Sequence, residues 1–284
     1  MPGYLQEIVA AHRRLASADR RDLGELVARA LEALAARPFA EALRSGHDGL
    51  AVIAEVKRRS PSKGALAEDL DPASVARAYA AGGAACLSVL TDEAYFAGSP
   101  ADLAAARSAV GLPVLRKDFT VSPADVCDAR LMGADAVLLV VAALCDDELA
   151  SLHQLAIHLG LDALVEVHDE AELERALTLD PRLVGVNQRD LATFALDPTR
   201  ALRLAPRIPP RVVAVAESGI RGPEDARRLA GAGYDAVLVG ESVVTSVDPS
   251  GAVRALRGHA VGARRASAGV AKISAGVAKI SAGG

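Results

Sequence analysis

One phrase recurs through this chain and restricts its fold more than any other feature. A glycine, a pair of small or acidic residues and a short apolar run appear at 83–90, 133–140, 160–167 and 233–240. In each copy the glycine suits the left-handed position that closes a helix, and the apolar run suits a strand. Segments 50–57, 113–117, 183–187 and 211–216 supply further strand candidates. These runs are nearly all apolar, which predicts strands covered on both faces, as in a parallel sheet. Helix starts lie between them: Asp71-Pro72-Ala73, Ser122-Pro123-Ala124-Asp125 and Gly222-Pro223-Glu224-Asp225 place a capping residue before a first-turn proline. Helical segments at 146–159, 169–178 and 197–205 complete a series of about eight strand-then-helix units.

Two architectures accommodate such a series, a closed (β/α)8 barrel and an open doubly wound sheet. The open dinucleotide-binding sheet requires a GxGxxG turn after its first strand. Here that strand runs into Lys57-Arg58-Arg59-Ser60-Pro61-Ser62-Lys63-Gly64, so the α/β fold predicted is the (β/α)8 TIM barrel with an extra N-terminal helical segment. The expected organisation is a helical extension over 1–45, a catalytic barrel over 46–258 and a C-terminal tail over 259–284. The tail carries a perfect seven-residue duplicate, Ser267 to Ile273 and Ser274 to Ile280. Each copy holds a glycine and few strong apolar residues, which is too little for a coiled-coil seam and suits a flexible tail.

Composition removes several classes. A net charge of -4 and 3% aromatic residues give neither a basic footprint nor stacking platforms for nucleic acid. No run approaches the length of a membrane span, and the N-terminus reads as a charged amphipathic helix rather than a signal peptide. Cys86, Cys127 and Cys145 are scattered, with no metal spacing, and suit buried thiols in a cytoplasmic protein. No metal and no cofactor is expected.

In a parallel barrel the C-terminal strand ends converge on one face, and that face carries the chemistry. Glu55 and Lys57 share one face of the first strand because strand side chains alternate. Arg116-Lys117-Asp118-Phe119, Glu166, Asn187-Gln188-Arg189, Glu217-Ser218-Gly219 and Gly240-Glu241 end five other strands. Six polar strand ends in one barrel define a site. Ser218, Gly219, Gly240 and Glu241 close the last two strands, where barrels present backbone N–H groups to phosphate.

These motifs, with Thr91-Asp92-Glu93-Ala94-Tyr95-Phe96 after the second strand, together resemble the indole-3-glycerol phosphate synthase family from the N-terminal helix to about residue 257. Gln188 and Ala97 depart from it, falling where the family commonly has Asn. The resemblance implies a phosphosugar-anthranilate substrate, 1-(2-carboxyphenylamino)-1-deoxyribulose 5-phosphate, closed to an indole with loss of carbon dioxide and water. It implies Lys117 as the acid, its pKa lowered in a positive, dry mouth, and Lys57 as the holder of the substrate carboxylate. Glu166 is implied as the base and Glu55 as its partner, with Asn187 and Ser218 positioning the substrate. Ser60 touches the substrate, and Arg189 orients Glu55 and Glu166 or binds an anion. Phe96, Phe119, Leu138 and Leu191 line the ring slot. The phosphate falls to Ser218, Gly219, Gly240 and the backbone of Glu241, whose side chain must point away. His168 is assigned to the opposite strand face from Glu166 and read as structural. A monomer or weak homo-oligomer is expected. A phosphoribosylanthranilate isomerase-like enzyme and a non-catalytic phosphometabolite-binding barrel are the competing readings; Glu55 and Lys57 on the first strand disfavour the former, and Lys117 with Glu166 the latter.

Overall fold

A computed structural model of the chain describes residues 4–44, 49–191 and 193–262. Three helices come first: α1 (Tyr4–Ala18), α2 (Leu23–Glu32) and α3 (Phe39–Arg44). Eight parallel strands follow and close on themselves. They are β1 (Ala51–Val56), β2 (Cys86–Leu90), β3 (Val114–Lys117), β4 (Ala136–Val140), β5 (Asp162–Val167), β6 (Leu183–Asn187), β7 (Val213–Glu217) and β8 (Ala236–Val239). The intervening helices are α4 (Pro72–Gly82), α5 (Glu93–Phe96), α6 (Pro100–Ala109), α7 (Pro123–Leu131), α8 (Asp146–His158), α9 (Glu170–Leu177), α10 (Arg200–Leu204) and α11 (Pro223–Gly231). After β8 come α12 (Glu241–Val244) and α13 (Pro249–Leu256). The expected TIM barrel with a preceding helical segment is the observed fold.

Local chemistry explains the punctuation. Gly83, Gly133, Gly160 and Gly233 all adopt positive φ, between 76 and 98°, so each recurrent glycine does close a helix. Asp71 accepts the Ser74 amide and Ser122 the Asp125 amide, satisfying N–H groups that a first turn leaves open.

Alternation divides each strand between two cores. Val52, Ala54, Val165, Val167, Ala214 and Ala216 face the helices. Ala51, Ile53, Leu115, Leu138, Leu164, Val213, Val215 and Leu238 fill the barrel interior. The strands are therefore apolar throughout although they alternate in direction, because both faces are dry. At the lower end Phe39, Ala40 and Leu43 of α3 close the interior core. Among the described residues no helix is long and apolar enough to cross a membrane. Cys86 and Cys127 are buried, but Cys145 is exposed, so the expectation of buried thiols fails there: Cys145 caps α8 where its first turn faces solvent. The duplicated tail lies outside the described residues.

Candidate active site

The interior alternation that carries apolar side chains low in the barrel carries ionisable ones at its upper end. Continuing the inward series of β1, β3, β5, β6 and β7 leads to Glu55, Lys117, Glu166, Asn187 and Glu217. They converge on a cavity of about 440 Å³ at the C-terminal strand ends. Every residue given a role in catalysis or substrate binding above lines it: Glu55, Lys57, Ser60, Phe96, Lys117, Phe119, Leu138, Glu166, Asn187, Arg189, Leu191, Ser218, Gly219, Gly240 and Glu241.

Lys117 is the hub. Its Nζ donates to Glu166 Oε2 at 2.7 Å and to Glu217 Oε2 at 3.1 Å. Glu166 Oε1 accepts from Asn187 Nδ2 at 3.1 Å, and Asn187 Oδ1 in turn accepts the Arg189 amide. Lys57 Nζ donates to Glu55 Oε1 at 2.5 Å, as their shared strand face requires. Two close approaches permit this crowding. A Cβ on Gly240 would lie 2.5 Å from Glu55 Oε1, and one on Gly185 would lie 2.1 Å from Glu217 Oε1. Gly240 thus makes room for the ion pair of β1, quite apart from any approach to phosphate.

The electrostatics correct one expectation. Burial works against the Lys117 cation, but the carboxylates of Glu166, Glu217 and Glu55 outweigh it and hold its pKa above the ordinary lysine range. The sequence argument had the mouth positive and the lysine pKa lowered. Three inward glutamates reverse that, because an opposite charge nearby favours the charged form. Burial also opposes the Glu166 carboxylate, yet Lys117 and His168 keep it well below the usual carboxylate range. Glu217 receives the opposite treatment. Burial, with the neighbouring Glu166 charge, pushes it up to about 8 against the pull of Lys117. Glu166 is thus driven toward its ionised form and Glu217 toward its neutral form, the direction of separation an acid–base site uses.

Two further expectations change. Arg189 donates to the Phe194 carbonyl, and among the described residues it reaches neither Glu55 nor Glu166; the Phe194 amide donates to the Asp190 carbonyl, which brings the Phe194 carbonyl within reach of the guanidinium. His168 does not face away from Glu166. Residues i and i+2 of a strand share a face, and His168 Nε2 lies 3.4 Å from Glu166 Oε1. Glu217 was legible as a polar strand end, but the expected roles at this end of β7 went to Ser218 and Gly219. The inward parity of Val213 and Val215 was the available signal.

The wall formed by the ends of β7 and β8 is held in an unusual backbone state. Ser218 and Gly219 have φ of 66 and 72°, and Ser218 is one of few non-glycine residues so placed, a form of strain that clusters at functional sites. Gln188 Nε2 donates to the Ser218 carbonyl at 2.8 Å and ties this turn to β6. Glu241 pairs with Lys63 at 3.5 Å, both exposed, so its side chain lies at the rim.

The N-terminal extension reaches this mouth too. Tyr4, Leu5 and Ile8 of α1 line the cavity, Tyr4 packs edge-on against Tyr95 and Phe194, and His12 Nε2 donates to Asp92 Oδ2 at 2.9 Å. His12, Asp92 and Asp118 bring their ligand atoms within 4.8 Å of one another. Asp118 already pairs with Arg116 and Thr91, so the group tethers α1 to the loops after β2 and β3.

A closed parallel barrel, with a buried lysine between two glutamates at the carboxyl ends of its strands, defines a (β/α)8-barrel enzyme with acid–base machinery. The model of the indole-3-glycerol phosphate synthase family matches residues 5–256. The chain belongs to that family. It is 60% identical over 210 residues to the indole-3-glycerol phosphate synthase of a Nocardioides species, covering 74% of this chain and 81% of that one. It is 49% identical over 261 residues to the enzyme of Acidithiobacillus ferrooxidans, covering 90% and 99%. A solved thiamine phosphate pyrophosphorylase from Pyrococcus furiosus shares the fold, with a TM-score of 0.55 at 16% identity over 74% of this chain and 94% of that one.

Proposed function

We propose that this chain closes the pyrrole ring of 1-(2-carboxyphenylamino)-1-deoxyribulose 5-phosphate, releasing carbon dioxide and water to give indole-3-glycerol phosphate. The observation that carries the residue roles is the placement of Lys117 between Glu166 and Glu217, at 2.7 and 3.1 Å. The Lys117 ammonium donates a proton to the substrate's carbonyl oxygen as the ring carbon attacks the carbonyl carbon. The carboxylate then departs as carbon dioxide, and its electron pair restores the aromatic ring. The new hydroxyl leaves as water after taking a second proton, and Glu166 removes the adjacent C–H proton to complete the pyrrole. Two protons enter and one leaves, so the net reaction consumes one proton.

Lys57 holds the substrate carboxylate, and Glu55 orients Lys57 through their ion pair. Asn187 fixes Glu166 by hydrogen bonding. Ser60 contacts the substrate from the loop after β1, and Arg189 supplies a cation at the rim. Phe96, Phe119, Leu138 and Leu191 pack the aromatic ring in an apolar slot. Ser218, Gly219, Gly240 and the backbone of Glu241 take the phosphate, in keeping with the Glu241 side chain engaged with Lys63. In this reading 46–258 is the catalytic barrel, 1–45 is its helical extension, with α1 at the mouth and α3 at the opposite end, and no metal or cofactor takes part.

The test is turnover of that substrate followed by indole fluorescence, with Lys117→Ala alongside. Indole formation that falls about a thousandfold in the variant supports the reading. Tight binding of the substrate without indole formation by the unsubstituted chain would replace it with a phosphometabolite-binding barrel.

A further inference from the structure

Beyond the end of β5, a third ionisable group stands in line with Glu166. His168 Nε2 lies 3.4 Å from Glu166 Oε1. On the other side of the ring, His168 Nδ1 is 3.0 Å from Glu172 Oε2. The same Glu172 oxygen accepts the His168 backbone N–H at 2.8 Å, so α9 holds His168 at two points, one on the ring and one on the backbone. His168 lines not the substrate cavity but a second one of about 220 Å³, with Asp169, Glu172, Asp190 and Arg200. Leu5 and Leu191 belong to the walls of both cavities.

We propose that His168, clamped by Glu172, is a positioning residue that fixes the Glu166 carboxylate for proton abstraction from outside the substrate cavity. This rests on the base role given to Glu166 above. Glu166 Oε1 then accepts from Asn187 Nδ2 and faces the His168 ring at 3.4 Å, an ionic approach without a formed hydrogen bond, so its orientation is set from two sides. Oε2, the oxygen shared with Lys117, is left to accept the substrate's proton. A carboxylate held on both sides in this way is pre-organised, and misplacement of a reacting group is expensive in rate.

The clamp also decides which ring nitrogen titrates. Glu172 is a carboxylate and accepts only, so Nδ1 keeps its hydrogen. Deprotonation therefore occurs at Nε2 and turns a lone pair toward Glu166 Oε1. Burial opposes the imidazolium, but Glu166 and Glu172 outweigh it and raise His168 to about 9. The charged groups around the ring are Glu166 from β5 with Lys117 behind it, Glu172 from α9, Asp169 at the start of α9, Asp190 from the loop after β6 and Arg200 from α10. Only Lys117 and Arg200 among these oppose protonation.

The experiment compares kcat and KM against pH for the unsubstituted chain, His168→Gln and Glu172→Gln. In His168→Gln the neighbouring cation is gone, so the Glu166 pKa rises. The acid limb of kcat should move up by about one unit, and kcat at neutral pH should fall about tenfold. KM should stay within about twofold, because His168 lies outside the substrate cavity. In Glu172→Gln the raising partner is lost, and the basic limb should move down toward neutral pH. Superimposable pH profiles in both variants would overturn the proposal. So would a uniform fall in kcat with raised KM and lowered Tm but no limb shift, the pattern of a packing residue. Glu172→Gln is isosteric and carries the comparison if His168→Gln does not fold. Absence of turnover in the unsubstituted chain would instead sink the base role of Glu166 and with it the proposed reaction, which separates the two failures.

Discussion

The two ends of this barrel carry buried acids in comparable number and use them in opposite ways. At the lower end Asp135 accepts the amides of Arg37 and Val114 together with the Arg107 guanidinium. Asp162 takes the Ala40 amide and Arg182, and Asp235, only half-buried, takes the Ala214 amide. Each of these carboxylates is spent on backbone groups and arginines that hold strand starts and α3 in place. At the upper end Glu55, Glu166 and Glu217 meet two lysines and each other, and Glu217 Oε1 is buried without a hydrogen-bond partner. A fully satisfied acid stabilises; an incompletely satisfied one stores free energy for a ligand or a reaction. The extension spans both regimes. The short α3 buries Phe39, Ala40 and Leu43, whereas the much longer α1 buries Ile8 alone.

If this contrast is right, substitutions at the two ends should separate activity from stability. The largest effect on turnover belongs to Lys117→Ala, which should lower kcat about a thousandfold while Tm moves less than in any lower-end variant. Phe39→Ala should do the reverse. It empties the plug beneath the barrel at a cost of about 3–5 kcal/mol in unfolding free energy, measurable by urea titration, with the KM of the folded fraction unchanged. A KM shift in Phe39→Ala would mean the two ends are coupled.

Removal of residues 1–18 should rank next. The deletion uncovers the mouth but leaves α3 in place, so kcat/KM should drop about tenfold to a hundredfold with a modest change in Tm. A Tm loss as large as that of Phe39→Ala would make α1 a packing element rather than a cover.

The smallest effect is a slope. Glu217 is raised to about 8 in the folded protein, above an unfolded value near about 4.3. Its neutral carboxyl therefore favours the folded state below the unfolded value, and that contribution is lost as pH rises to about 8. The stability of the unsubstituted chain relative to Glu217→Gln should decline across that window. Parallel stability curves would place Glu217 as an ordinary ionised carboxylate and erase its contrast with Glu166.

Much of the site was legible because strand parity is a local property. Glu55 and Lys57 lie two residues apart on one strand, and their 2.5 Å contact follows from that spacing alone. The same rule, correctly applied, brings His168 beside Glu166; the opposite assignment was an error of counting rather than of physics. Other features were beyond local reasoning. Nothing near Lys117 in the chain announces that Glu166 and Glu217, 49 and 100 residues away, will surround it and raise its pKa. Nor does the sequence around Gly185 or Gly240 reveal which side chain needs the vacant space. Ala97 has a left-handed φ of 53°, a conformation that Asn tolerates better than Ala, so this departure from the family pattern acquires a physical meaning only once the turn is seen.

The sequence by itself determined the repeating strand-and-helix units, their parallel closure and the end of the barrel at which ionisable groups gather. Those depend on periodicity, capping residues and glycine positions, which act over a few residues. The tertiary structure decided the direction in which each buried group's pKa moves, the partner of each buried acid and the division of the N-terminal helices between the two ends. Those depend on distances between groups far apart in the chain and on the removal of water from between them, and only the closed barrel sets either.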